Sequence, residues 1–314
     1  MVINIVMACN DSYADPLCVS LHSLISEKKP SDEYNIFVFS VSLSKKSEKH
    51  IMSQVAHDPS VHIKFHKLTL DESFGTCPWI TAETYLRIYA PQILTSVDKF
   101  LYLDCDTIVL DDLAKLFEID LGNYLVAGVC DYRFDGTYSE RILKIPTSQY
   151  INAGVLLINA SLWRKESVTE TCISFLRSHP DIEAYDQDAI NFAAKDRIIY
   201  LDKLWNFQQV WPENFNTHKW HAHFRQLAHI STQESFHFTF HGIIHYVCEE
   251  KPWDFPKREF AQLFWRNAGH TNRCLALIFR ALPECAIKDI TSPIRRMMRY
   301  LKVVFQRLNV MRQA

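Results

Sequence analysis

The stretch KFLYLDCDTIVL, residues 99–110, constrains the fold more than any other, because two carboxylates one residue apart interrupt an otherwise apolar, β-like run. Burying Asp104 and Asp106 together costs several kcal/mol unless something positive compensates them. With a strand period of two, both aspartates project to one side, where a single hard divalent ion can take them, and Cys105 points the other way. Turns and solvated faces carry the same triplet. Its place after the apolar FLYL matches the position of ligand sites in open α/β sheets, which lie beyond the carboxyl ends of strands.

Apolar, β-branched runs recur at 3–9, 36–41, 61–65, 100–110, 125–129 and 155–158. Helical patterns separate them at 16–26, 44–56, 82–94, 162–177 and 186–194, the second opening on a Ser44 cap with Glu48 downstream. This alternation predicts an α/β fold around a central, mostly parallel sheet. The first strand runs into Asn10-Asp11-Ser12-Tyr13 directly before a helix, where a nucleotide is expected. Only seven glycines occur in the 314 residues, and neither a dinucleotide fingerprint nor a P-loop is among the motifs, so bound phosphates need a metal and cationic side chains.

A formal charge of −2 argues against a nucleic-acid partner. Nine cysteines without a Cys-x-x-Cys pair, and an N-terminus without a basic leader, predict reduced thiols and a cytoplasmic location. No run approaches the roughly 18 apolar residues of a spanning helix. After Trp253 the pattern changes to short helical pieces, giving an expected division into a domain over 1–255 and a helical extension over 256–314. Within the extension, 293–312 reads as a helix with an apolar stripe from Ile294 to Met311 and arginines and lysines on its other faces. Such a helix fits an anionic membrane surface, at the cytoplasmic face of an inner membrane, or packs on the domain itself.

Three further clusters carry chemistry. His245 and Lys251 fall in HYVCEEKPW, where an imidazole added to two carboxylates suits Mn²⁺ and a lysine beside a Pro-Trp turn suits a phosphate. Tyr150–Asn159 sets Asn152 and the small pair Ala153-Gly154 at the start of an apolar strand, which suits close backbone approach or a tight turn. Asp186, Gln187 and Asp188 open a helix; the helix dipole accounts for the acids, whereas Gln187 is the less expected member.

In this order the clusters resemble glycosyltransferase family 8, retaining nucleotide-sugar transferases of GT-A fold, and especially its bacterial lipopolysaccharide galactosyl- and glucosyltransferases. The match runs from the first strand to Trp253. The resemblance implies that Ala8, Asn10, Asp11 and Tyr13 contact uridine, with Cys105 among the donor contacts. It implies that Asp104, Asp106 and His245 bind Mn²⁺ or Mg²⁺ and that Lys251 meets the diphosphate of UDP-galactose or UDP-glucose. Arg87, Asp131, Asn152, Asp186 and Gln187 would surround the donor sugar. Three residues depart from the family pattern. Asn10 stands where Asp is common, its amide oxygen still able to accept from the uracil N–H; Cys248 replaces a glycine; Trp79 stands where some galactosyltransferases have His. The implied activity is transfer of a hexose to a hydroxyl of a lipid-linked or other surface glycan. A metal-dependent nucleotide-sugar hydrolase and a non-catalytic peripheral membrane protein on an inactive form of the same fold are the alternatives.

Overall fold

The computed structural model describes residues 1–70, 81–131, 137–209, 241–247, 250–256 and 260–269. The expected basic helix over 293–312, Trp79, Cys248 and most of the aromatic stretch after Asn206 lie outside these residues.

The first half alternates as the sequence predicts. Strand β1 (Val2–Ala8) leads through a 3-10 turn to α1 (Ala14–Ser26), β2 (Glu33–Ser40), α2 (Lys45–Val55) and β3 (Val61–Lys67). Ser44 caps α2 by accepting from the Ser47 N–H. The strands are parallel, β1 pairing with β2 from Val2↔Glu33 to Ala8↔Phe39. A second 3-10 turn, Ala82–Tyr85, feeds α3 (Leu86–Ile93) and then β4 (Lys99–Leu103), which lies parallel to β1 on its other side. Alternate side chains of β1 divide the core: Ile3, Ile5 and Met7 face α1 and α2, while Val6 faces α3.

The run at 100–110 is not one strand. The chain leaves the sheet after Leu103 and turns through Asp104–Asp106, and β5 (Thr107–Val109) pairs elsewhere. Apolar character continues across the turn, so the hydrophobic pattern alone does not reveal the break. After α4 (Ala114–Phe117) come β6 (Val126–Cys130), α5 (Tyr138–Leu143) and β7 (Ile151–Asn159). Strand β7 inserts antiparallel between β4 and β6, and Asn152, its second residue, sits at the start of this buried strand as the sequence predicts. The helix expected at 162–177 is two, α6 (Ala160–Lys165) and α7 (Val168–Ser178), broken at Ser167 with φ of 53°. Helix α8 (Tyr185–Ala193) and β8 (Ile198–Tyr200) complete a seven-stranded sheet of order β3-β2-β1-β4-β7-β6-β8. A small sheet places β10 (Ile243–His245) between β5 and β9 (Phe207–Gln208), and α9 (Ala261–Ala268) packs beside it with Trp253.

Helix α8 is tied to the start of β7 by an amide side chain that pairs with both backbone groups of one residue. Buried Asn191 donates from Nδ2 to the Ile151 carbonyl at 2.8 Å and accepts at Oδ1 from the Ile151 N–H at 2.8 Å. Asn191→Ala would leave both backbone groups buried without this partner and is expected to lower stability by roughly 2–4 kcal/mol. Denaturant unfolding checks this; a loss within error of zero contradicts it.

Candidate functional site

The turn after β4 and the end of β10 meet over β7. Asp104, Asp106 and His245 each turn one ligand atom inward, all within 4.8 Å of one another. They are held by backbone bonds: the Asp104 N–H donates to the Gly154 carbonyl at 2.8 Å, and the Tyr246 N–H to the Asp106 carbonyl at 3.0 Å. Around them opens a cavity of about 310 Å³ whose wall also includes Ala8, Asn10, Tyr13, Glu83, Arg87, Cys105, Asn152, Asp186, Gln187 and Lys251. Two expected residues lie off this wall. Asp11 turns outward, accepting from the Ser44 N–H at 3.0 Å at the start of α2, and Asp131 is fully buried behind Asn152 and Gln187.

A hydrogen-bond relay fixes the histidine tautomer. Asp131 Oδ2 can only accept when ionised, so it takes Nδ2 of Asn152 at 3.1 Å and Nε2 of Gln187 at 3.0 Å. Asn152 Oδ1 therefore faces the other way, accepting from the Gly154 N–H at 2.9 Å and Asn206 Nδ2 at 2.8 Å. That leaves Asn206 Oδ1 to accept from His245 Nδ1 at 3.0 Å. The proton sits on Nδ1, and the Nε2 lone pair faces Asp106 Oδ1 at 3.3 Å and Asp104 Oδ2 at 3.6 Å. A lone pair and two carboxylates aimed at one point fit a divalent cation of the Mn²⁺ type. The space is shaped for it: a Cβ on Gly154 would come within 2.0 Å of His245 Cε1 and 2.7 Å of Asp104 Oδ2. Close approach, rather than a turn, accounts for this glycine.

Cations border the carboxylates. Lys251 Nζ donates to Asp106 Oδ2 at 2.6 Å and to the Tyr246 carbonyl at 2.5 Å. Burial alone would raise the Asp106 carboxyl, but its charged surroundings, Lys251 first among them, outweigh it and hold the group well below the usual carboxylate range. Buried Arg87 stacks on Tyr102 at 4.4 Å and bridges Asp104 Oδ1 and Asp186 Oδ2, both at 3.0 Å. Its burial opposes the charge, and the two aspartates more than restore it. Tyr102 adds a hydroxyl to Asp104 Oδ1 at 2.9 Å. Burial pushes the Asp186 carboxyl up to about 6, against the pull of Arg87 and of the Thr84 hydroxyl at 2.8 Å.

Elsewhere on the wall, Tyr13 meets Trp253 edge-on with centroids 5.7 Å apart. The Cys105 thiol donates to the Ala8 carbonyl at 2.9 Å. Asn10 departs from its expected role. Its Oδ1 already accepts from the Ser12 N–H at 3.1 Å, the Tyr13 N–H at 3.2 Å and the Ser12 hydroxyl at 2.6 Å, so the turn into α1 uses the oxygen expected to meet a uracil. Sequence reasoning missed Tyr102, Thr84, Glu83 and Asn206. Thr84 and Arg87, at i and i+3, carried a helical-spacing signal toward a shared target; Asn206 carried none, its histidine partner being 39 residues away.

The family model for glycosyl transferase family 8 matches residues 4–256. General stress protein A of Bacillus subtilis (strain 168) is 28% identical over 263 residues, 81% of this chain and 88% of the relative. Lipopolysaccharide 1,2-glucosyltransferase of Escherichia coli (strain K12) is 24% identical over 265 residues, 80% of this chain and 72% of the relative. The structure of the galactosyltransferase LgtC in complex with donor and acceptor sugar analogs superposes with a TM-score of 0.69 at 24% identity, over 86% of this chain and 96% of LgtC. Its likeness supports the GT-A fold.

The relay makes two predictions. Asn206→Ala removes the acceptor that fixes His245 and should weaken Mn²⁺ binding by about 10- to 100-fold, read by paramagnetic resonance of free Mn²⁺. Gly154→Ala, whose Cβ overlaps the imidazole, should abolish that binding in a protein that still unfolds cooperatively. Unchanged affinity in either variant contradicts the assignment.

Proposed function

The chain belongs to glycosyl transferase family 8, and from that premise we propose that it transfers galactose or glucose from a UDP-sugar to a hydroxyl of a surface glycan, with retention of anomeric configuration. The observation that carries the reading is the convergence of Asp104, Asp106 and His245 with Lys251 and Arg87 in one cavity beyond the carboxyl ends of β1 and β4. Asp104, Asp106 and His245 would hold Mn²⁺, which when bound supplies a Lewis acid for the charge developing on departing UDP. Lys251 would stay close to that charge and stabilise the diphosphate by a charge-assisted bond.

The sugar end is organised by bonds already made. Gln187 accepts at Oε1 from the Ala153 N–H at 3.0 Å and from Asn152 at 3.1 Å and donates from Nε2 to Asp131, so its side chain is held in one orientation rather than mobile. Asp186 is clamped by Arg87 and Thr84. Neither is a free nucleophile, which favours attack on the face the leaving group vacates over a covalent intermediate. Asp186, Gln187 and Asn152 would orient the hexose, and Asp131 would hold Gln187 and Asn152 in place.

Support for a surface-glycan acceptor comes from the Escherichia coli relative, a lipopolysaccharide 1,2-glucosyltransferase. A lipid-linked acceptor at the cytoplasmic face of the membrane, met through the basic segment 293–312, belongs to the same proposal. Among the described residues no helix is long and apolar enough to cross a membrane.

Release of UDP from UDP-galactose and UDP-glucose, with and without Mn²⁺ and lipopolysaccharide core acceptors, tests this. Turnover of one donor should require Mn²⁺ and rise with acceptor, and NMR of the product should show the anomeric configuration retained. Asp106→Asn should reduce turnover on the order of a thousandfold. Mn²⁺-dependent UDP release that no acceptor accelerates would favour hydrolysis instead.

A further inference from the structure

With the Asn10 oxygen committed to the turn, the wall shared by Ala8, Asn10 and Tyr13 keeps another strong acceptor. Glu83, 7% exposed, stands beside Asn10 on this wall. Its Oε2 accepts from the Thr81 hydroxyl at 2.6 Å and from Asn10 Nδ2 at 3.3 Å. Among the described residues Oε1 takes no hydrogen bond, and no cation pairs with the carboxylate. The 3-10 turn over Ala82–Tyr85 explains the placement: it carries Glu83 toward Asn10, Thr84 toward Asp186 and, one turn later, Arg87 toward Asp104. One short segment thus reaches from the Asn10 wall to the residues proposed to hold the sugar.

We propose that Glu83 selects the nucleobase of the donor, its free carboxylate oxygen accepting the ring N3–H of uracil. This rests on the reading of the cavity as a nucleoside-diphosphate-sugar site. An ionised carboxylate is acceptor-only, so it complements the uracil imide and opposes cytosine, which presents a lone pair at N3. Asn10, with its oxygen used and its Nδ2 turned to Glu83, holds the carboxylate in orientation. The acceptor that an aspartate at position 10 would supply is provided from the neighbouring segment.

Calorimetric titration of UDP and CDP in the presence of Mn²⁺ tests the inference, using the full chain and Glu83→Gln. A hydrogen bond to a charged group corresponds to roughly a 10- to 150-fold effect, so the wild type should prefer UDP by at least tens-fold. Glu83→Gln, whose amide can donate as well as accept, should shrink that preference about tenfold or more, losing UDP affinity while keeping or gaining CDP affinity. An undiminished preference overturns the inference while leaving the nucleotide site standing. Failure of the wild type to bind either nucleotide overturns the site reading and the inference with it. If Glu83→Gln melts too early to titrate, Glu83→Asp replaces it: withdrawing the carboxylate by one methylene should weaken UDP several-fold and keep UDP ahead of CDP, and unaltered UDP affinity overturns the inference.

Discussion

The carboxylates of Asp104 and Asp106, drawn together at the end of β4, set the terms for everything around them. Like charges this close in a partly buried site are tolerable only if opposite charge is built in. The protein supplies it from two directions, Arg87 from α3 and Lys251 from the segment after β10, and the Nε2 lone pair of His245 adds a third ligand for a cation shared with the carboxylates. Each of these needs its own positioning. Arg87 is held by Tyr102, Thr84 and Asp186, and His245 by the relay through Asn206 and Asn152 to Asp131. The insertion of antiparallel β7 beside β4 is what places Asn152 and Gly154 directly under the metal candidates.

The same constraint separates residues that face the cavity from those that hold them. Asp131 is an acceptor that orients two amides and, through one of them and Asn206, a histidine more than a hundred residues away in the chain. Asn10 shapes the turn into α1 and the carboxylate beside it. Asp188 is likewise structural, receiving the hydroxyls of Tyr138 and Tyr150. The helix that opens with Asp186, Gln187 and Asp188 therefore turns two side chains toward the cavity and one into the core.

Much of this was legible in the sequence. The alternation of strands and helices through β3, the Ser44 cap, and the four clusters of polar residues all correspond to elements or walls of the site. What escaped depends on pairing rather than on local pattern. The apolar run through Asp104 and Asp106 reads as one strand because Thr107–Val109 is as apolar as Lys99–Leu103; only pairing of β5 with β10 divides it. The break at Ser167 has neither glycine nor proline to mark it. Asn206 and Glu83 sit in no motif, and their importance follows from partners distant in sequence. Asn10 was visible, but its use as a turn acceptor required the positions of the Ser12 and Tyr13 amides.

The central claim is that Asp104, Asp106 and His245 form one cation site in which a nucleoside diphosphate is bound. Anomalous diffraction at the manganese edge, from crystals of the protein grown with MnCl₂ and UDP, tests it most directly. The account predicts a single strong peak coordinated by both carboxylates and by Nε2 of His245, with diphosphate oxygens completing the sphere near Lys251. Manganese on other residues, or UDP bound with no metal at this point, would contradict it.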